Sequence, residues 1–146
     1  MKILVVCEHF CNGGLETQIK TIAENLPKDT EMVFAFGKYT KEIELPNSTI
    51  YTGFHFSSID TIKEICEDVE KLINVIESEK IDVIHVHPYY SFFSALFASQ
   101  MTHTKLFYSF HGISSFNFLK TVSSTAIFQY AFECGAIAST FAVSQD

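Results

Sequence analysis

Short, apolar, β-rich runs alternate along this chain with longer segments whose apolar residues recur at helical spacing. Lys2–Cys7, Glu31–Phe36, Thr49–Thr52, Ile81–His87, Lys105–His111 and Ser139–Val143 read as strands. Leu15–Leu26, Ile59–Ser78, Ser91–Gln100 and Phe116–Cys134 read as helices. Breakers separate them: Asn12-Gly13-Gly14, Pro27, Gly37, the polar loop Lys38–Ser48 with Pro46, Pro88 and Gly112. The clearest helix, Ile59–Ser78, carries a stripe of Ile62, Ile65, Cys66, Val69, Leu72, Ile73 and Ile76, with Glu64, Glu67, Lys71 and Glu77 on the solvated side. Strands and helices in this alternation belong in a parallel sheet covered on both faces. The expected fold is α/β: a Rossmann-like, doubly wound parallel sheet of about six strands with helices on both faces.

At 146 residues the chain makes one domain, 1–146, whose core can form without disulfides or structural metal. Its 10 basic residues are all Lys, set against 17 acids for a net charge of -7. Without the planar fork of arginine, and with this acidic balance, the chain is not built to read nucleic acid. Any phosphate bound here must be held by backbone N–H groups, by Lys, or by protein beyond these residues. Cys7, Cys11, Cys66 and Cys134 form no CxxC and no disulfide framework, which points to reduced thiols and a cytoplasmic setting. The N-terminal apolar run is too short for a secretory signal. The apolar stretch Thr121–Gln145 carries Glu133 and Gly135 and does not read as a membrane span.

In doubly wound sheets, ligands bind outside the carboxyl ends of the strands. That rule selects Glu8–Glu16, His87–Tyr90 and Ser109–Ser114. Gly13-Gly14 stands between a strand and a helix start, where backbone can approach an anion and the helix dipole favours negative charge. A tight structural turn explains the same two residues equally well. No G-x-G-x-x-G and no G-K-[S/T] occurs, which disfavours NAD or FAD and excludes a P-loop. Glu16 suits helix capping, or contact with a ligand hydroxyl.

His85 and His87 lie two apart on one strand and so point to the same side of the pleat; His111 ends the adjacent strand. Three histidines there admit zinc, although the acid of a hydrolytic site is missing nearby. His85 reads as a hydrogen-bonded core residue, and His87 and His111 as ligand contacts or acid/base groups, with His9 a weaker case. His55 and His103 read as surface residues. No nucleophile is set up: there is no G-x-S-x-G, and neither Cys7 nor Cys11 has a cationic setting. Tyr89-Tyr90 and Phe92-Phe93 either stack on a sugar or pack in the core.

Four pieces, in order over nearly the whole chain, carry a resemblance. They are the NGGLETQIKTIAENL segment after the first strand, IDVIHVHPYY, FYSFHG and the terminal FAVSQD. Together they resemble the N-terminal domain of retaining glycosyltransferases of the two-domain GT-B fold, the glycosyltransferase family 4 type. The resemblance implies a sugar moved from a nucleotide-sugar donor to a saccharide or lipid-linked acceptor, with no metal or other cofactor. It assigns Gly13 and Gly14 to the loop approaching the donor diphosphate, and His111, followed by Gly112, to the active-site histidine beside the transferred sugar. It places His87 on the acceptor side and Val143-Ser144 at the interdomain cleft. The paired glutamates and basic residues that grip the donor belong to a C-terminal domain absent from these residues. The chain alone is therefore expected to be inactive, as part of a longer enzyme used in polysaccharide biosynthesis.

Two other classes stay open at this point. One is a non-catalytic Rossmann-like binding domain that self-associates or docks a partner through its last helix (Phe116, Leu119, Ile127, Tyr130). The other is a His-dependent metal hydrolase. A peripheral position at the inner face of the membrane fits lipid-linked acceptors but draws no support from the acidic charge balance.

Overall fold

The computed structural model describes residues 1–11, 13–39, 45, 48–111 and 119–142. In chain order the elements are β1 (Lys2–Phe10), α1 (Gly14–Glu24), β2 (Glu31–Tyr39), β3 (Thr49–Tyr51) and α2 (Ile62–Glu79). They continue with β4 (Val83–Val86), α3 (Ser91–Thr102), β5 (Lys105–Phe110), α4 (Val122–Glu133) and β6 (Ser139–Ala142). All six strands are parallel, in the order β3-β2-β1-β4-β5-β6. The chain winds outward from β1 to β3, then returns past β1 to β4. The strand order therefore reverses between β1 and β4, where such sheets open a crevice.

β1 shows why this sheet needs two covers. Leu4 and Val6 join one apolar cluster with Leu72 of α2, Phe92 and Phe93 of α3, and Ala131 of α4. Val5, Cys7 and Phe10 join the other, with Phe34, Phe36 and Ile19 of α1. From Leu4 to Cys7 alternate residues of one apolar strand thus feed two cores, as the period of two requires, and Phe10 at the strand's end joins the second out of that period. The expected Rossmann-like α/β fold with helices on both faces is the one observed.

Several details differ from the sequence reading. Gly37 does not end β2, which runs on to Tyr39 beside β1. A Cβ at Gly37 would lie 2.7 Å from the Glu8 carbonyl oxygen and 3.3 Å from that of Phe54. Its glycine marks a close approach of backbones, not a stop. α4 begins at Val122, where the Thr121 hydroxyl accepts the Ser124 N–H; of the residues expected to precede it, 116–118 lie outside the described set and 119–121 are not α-helical. On α2 the buried face holds Ile65, Asp68, Val69, Leu72, Val75 and Ile76, whereas Ile62 and Cys66 are exposed.

Asp68 was not expected in that buried face. Its carboxylate accepts the backbone N–H groups of His55 (3.0 Å) and Phe56 (2.6 Å) and contacts His55 Nδ1 at 3.2 Å. It pins the loop after β3 at the carboxyl end of the sheet, satisfying donors that burial would otherwise leave without partners. His55 keeps an exposed side chain, and His103 caps α3 at the surface.

Candidate functional site

The carboxyl ends of β1, β4 and β5 converge at the switch point, and the selected side chains gather there. His87 follows β4 and is almost wholly buried (2% exposed). Its backbone N–H donates to Val6 O at 2.9 Å, and its carbonyl accepts the Ser91 hydroxyl at 2.9 Å, fixing it between β1 and α3. His87 Nδ1 lies 2.8 Å from Nε2 of His111, just past β5. His85, on the same side of the pleat, packs its ring at a tilt against that of His87, centroids 4.4 Å apart, and bonds the Ser109 hydroxyl at 2.8 Å through Nε2.

Burial is the main influence on all three rings. It lowers His85 to about 4, holds His87 well below the usual imidazole range, and lowers His111 as well, partly countered by the negative charge of Glu16. At neutral pH the rings are uncharged, so the 2.8 Å contact is one imidazole N–H donating to the bare nitrogen of the other. Each ring thereby fixes the tautomer of its partner.

Glu16 is buried in the first turn of α1 and its Oε1 accepts the Cys11 N–H at 3.1 Å. The carboxylate turns back over the loop that leads into the helix. A Cβ at Gly13 would stand 2.7 Å from Glu16 Oε2, so the missing side chain is what lets the carboxylate turn inward. Gly14 faces open space. Gly112 and Val143-Ser144 lie outside the described residues.

Glu8 opens the selected Glu8–Glu16 stretch but was given no role of its own from the sequence. It ends the apolar run of β1, half-buried, and its Oε2 accepts the Tyr90 N–H at 3.0 Å, at the start of α3. Burial raises its carboxyl above the usual range. A lone acid ending an apolar strand at the sheet's ligand end is the signal that could have found it. Cys7 is buried, its thiol pushed up to about 12, which leaves it protonated and no nucleophile. Phe92 and Phe93 are fully buried in the core, and Tyr89 and Tyr90 pack against it.

Among the described residues no group of three or more His, Cys, Asp or Glu is arranged to hold a metal. His87 and His111 point nitrogens at each other across 2.8 Å. Two ligand nitrogens on one tetrahedral zinc would stand roughly 3.3 Å apart. No helix among the described residues is long and apolar enough to cross a membrane.

Residues 12–146 match the family model for Glycosyltransferase Family 4. The chain belongs to that family. No protein among the curated ones compared matches it in sequence. Its fold matches UDP-GlcNAc 2-epimerase from Methanocaldococcus jannaschii with a TM-score of 0.65 at 14% identity, covering 99% of this chain and 40% of that one. A glycosyltransferase from Rickettsia africae ESF-5 matches at 0.64 and 13% identity, over 98% and 42%. The Neisseria meningitidis UDP-GlcNAc 2-epimerase bound to UDP-GlcNAc matches at 0.62 and 15%, over 97% and 40%. This family 4 chain therefore spans about two-fifths of the length of those structures. The recognition of a GT-B glycosyltransferase domain, made from four loose motifs, holds.

Proposed function

We propose that these residues form the N-terminal, acceptor-side part of a glycosyltransferase that moves a sugar from a nucleotide-sugar donor to a saccharide or lipid-linked acceptor with retention. The observation that carries this reading is the placement of His111. It is held by the buried neutral ring of His87, next to the Gly13–Glu16 turn, where the strand order reverses.

Sugar transfer must stabilise positive charge at the sugar ring and negative charge on the departing diphosphate. The backbone N–H groups of the first turn of α1 serve the diphosphate, since they have no partner inside the helix and sit at its positive end. Glu16 occupies that end in the structure, so an incoming diphosphate displaces its carboxylate or is read beside it. His111 hydrogen-bonds the transferred sugar; a neutral ring adds no repulsion to the positive charge developing there. His87 positions His111 and borders the acceptor side. Donor recognition and the remaining grip on the diphosphate belong to a second domain, so this chain alone is inactive. Work on a lipid-linked acceptor would put the enzyme in the cytoplasm, at the inner face of the membrane.

The decisive experiment is a transfer screen with the complete enzyme against a panel of nucleotide sugars, with His111→Ala as the paired variant. Loss of one such stabilising contact typically costs about 100- to 1,000-fold in rate. A variant with parental kcat removes His111 from the site. Transfer by residues 1–146 alone removes the need for a second domain.

A further inference from the structure

Away from the histidines, α2 and α3 leave a groove on the outer face of the helical layer. Ile62, Cys66, Val69 and Ile73 of α2 line one wall, and Phe97 and Met101 of α3 the other, around a volume of about 520 Å³. The α2 residues follow i, i+4, i+7, i+11 spacing, a straight apolar stripe of about three turns, or roughly 16 Å. Val69 of that stripe belongs to the core and Ile73 packs against it, whereas Ile62 and Cys66 stand exposed beyond it. α3 is apolar all round, the pattern of a helix buried on every side. Even so, Phe97 is 41% exposed and Met101 67%, as is Ile62 at 60%.

Charge selects what fits. Glu70 lines the groove and Glu77 follows two turns later on the same rim; among the described residues neither side chain has an ion-pair partner. Lys63, also on this side, is paired with Glu67. α3 carries no charged residue at all. We propose that this groove docks an amphipathic helix of a partner protein, its apolar face against Ile62, Ile73, Phe97 and Met101 and its Lys or Arg residues along Glu70 and Glu77. Such helix-in-groove docking uses apolar anchors at i, i+3, i+4 and i+7. An anionic membrane is repelled by the same rim, and a symmetric second copy would bring its own Glu70 and Glu77 toward these.

The probe is a Leu/Lys peptide about 18 residues long, enough to form an amphipathic helix, beside a Leu/Glu peptide of the same pattern. Fluorescence anisotropy gives affinity for the full chain, and methyl NMR locates the contact. The Leu/Lys peptide should shift the methyls of Ile62, Ile73 and Met101, and the Leu/Glu peptide should bind at least tenfold more weakly. Glu70→Lys with Glu77→Lys should weaken binding at least tenfold, and Met101→Glu should do so without changing the rim. Glu24→Lys with Asp29→Lys makes the same change in net charge elsewhere and should leave affinity as it was. Equal loss in that control, equal binding of the two peptides, or shifts confined to other surfaces overturns the proposal. So does tighter binding to phosphatidylserine vesicles, or a dimer in sedimentation whose interface is these methyls.

Discussion

The two ends of this sheet spend their polar groups differently. At the amino end, Lys2 Nζ lies 3.0 Å from Glu79 and 3.4 Å from Glu31, Tyr51 donates its hydroxyl to Glu79 at 2.7 Å, and the Lys2 N–H donates to Asp82 at 2.7 Å. Opposite charges meet near solvent, and the groups satisfy one another. At the carboxyl end, among the described residues, no Lys is paired to half-buried Glu8, which lies 3.5 Å from His9 Nδ1, or to buried Glu16, and the histidines are packed together uncharged. The amino end pairs opposite charges, whereas the carboxyl end holds its acids with backbone N–H groups and its histidines with one another and with a hydroxyl. Perturbed groups gathered in this way mark a functional end more surely than a count of charges.

The largest difference in stability should come from the loop anchor. Asp68→Ala removes an acceptor shared by two backbone N–H groups and leaves the buried one, of Phe56, unsatisfied at about 1–3 kcal/mol, with a smaller cost for the part-buried N–H of His55. Urea unfolding should show a loss of about 2–5 kcal/mol. Glu79→Ala, on the solvent-exposed network at the other end, should lower the midpoint by far less. Equal losses would erase the contrast between a buried anchor and a surface network.

Acid should then separate the ends by pH. Burial lowers His85 to about 4 and holds His87 well below its ordinary value, so the folded state favours neutral rings. That contribution is complete above the unfolded histidine value near 6.5 and is lost as pH falls from there toward 4. For His85 the loss by pH 4 is about 2–3 kcal/mol. Glu8, raised by burial, runs the other way and offsets part of it. Glu79 is held low by the Tyr51 hydroxyl and by Lys2. Its contribution is present above the unfolded glutamate value near 4.5 and disappears only below it. Between pH 6.5 and 4.5, therefore, stability should fall through the carboxyl end alone. Unfolding series across that window, with His85→Gln flattening the slope and Glu79→Gln leaving it intact, check the assignment. A slope unchanged by His85→Gln breaks it.

What the sequence disclosed follows the same division. The architecture was legible because apolar strand runs and helical spacing are properties of neighbouring residues, and β1 carries both cores in one stretch. The convergence of His87 and His111 was legible in outline once β4 and β5 were taken as adjacent. Their 2.8 Å contact was not, because it depends on the register between strands 24 residues apart. Gly37 misled because close approach and chain reversal both call for glycine. Asp68 was missed, and Glu8 was given no role within its selected stretch, for a shared reason: a single acid beside an apolar pattern reads as a solvated boundary until the loop or helix it serves is in place. Asp68 did leave a trace, since at 68 it falls on the apolar side of the α2 stripe, between Ile65 and Leu72.

The smallest effects expected divide the carboxyl end itself. Gly13 has an extended backbone that any residue can adopt, so Gly13→Ala brings no backbone strain. Its cost is contact, since the new methyl meets Glu16 Oε2 and pushes the carboxylate off the Cys11 N–H. That side chain is flexible at its end, which limits the loss to about 1 kcal/mol, the worth of one hydrogen bond. Gly14 opens the first turn of α1 into free space, so Gly14→Ala should instead stabilise by about 0.5–1 kcal/mol through helix propensity. A double-mutant cycle with Glu16→Ala tests the mechanism. Gly13→Ala should cost almost nothing once Glu16 is gone, whereas the gain from Gly14→Ala should persist. If the Gly13→Ala cost is the same in both backgrounds, the glycine serves the turn and not the carboxylate, and Glu16 loses its place in the architecture of this end.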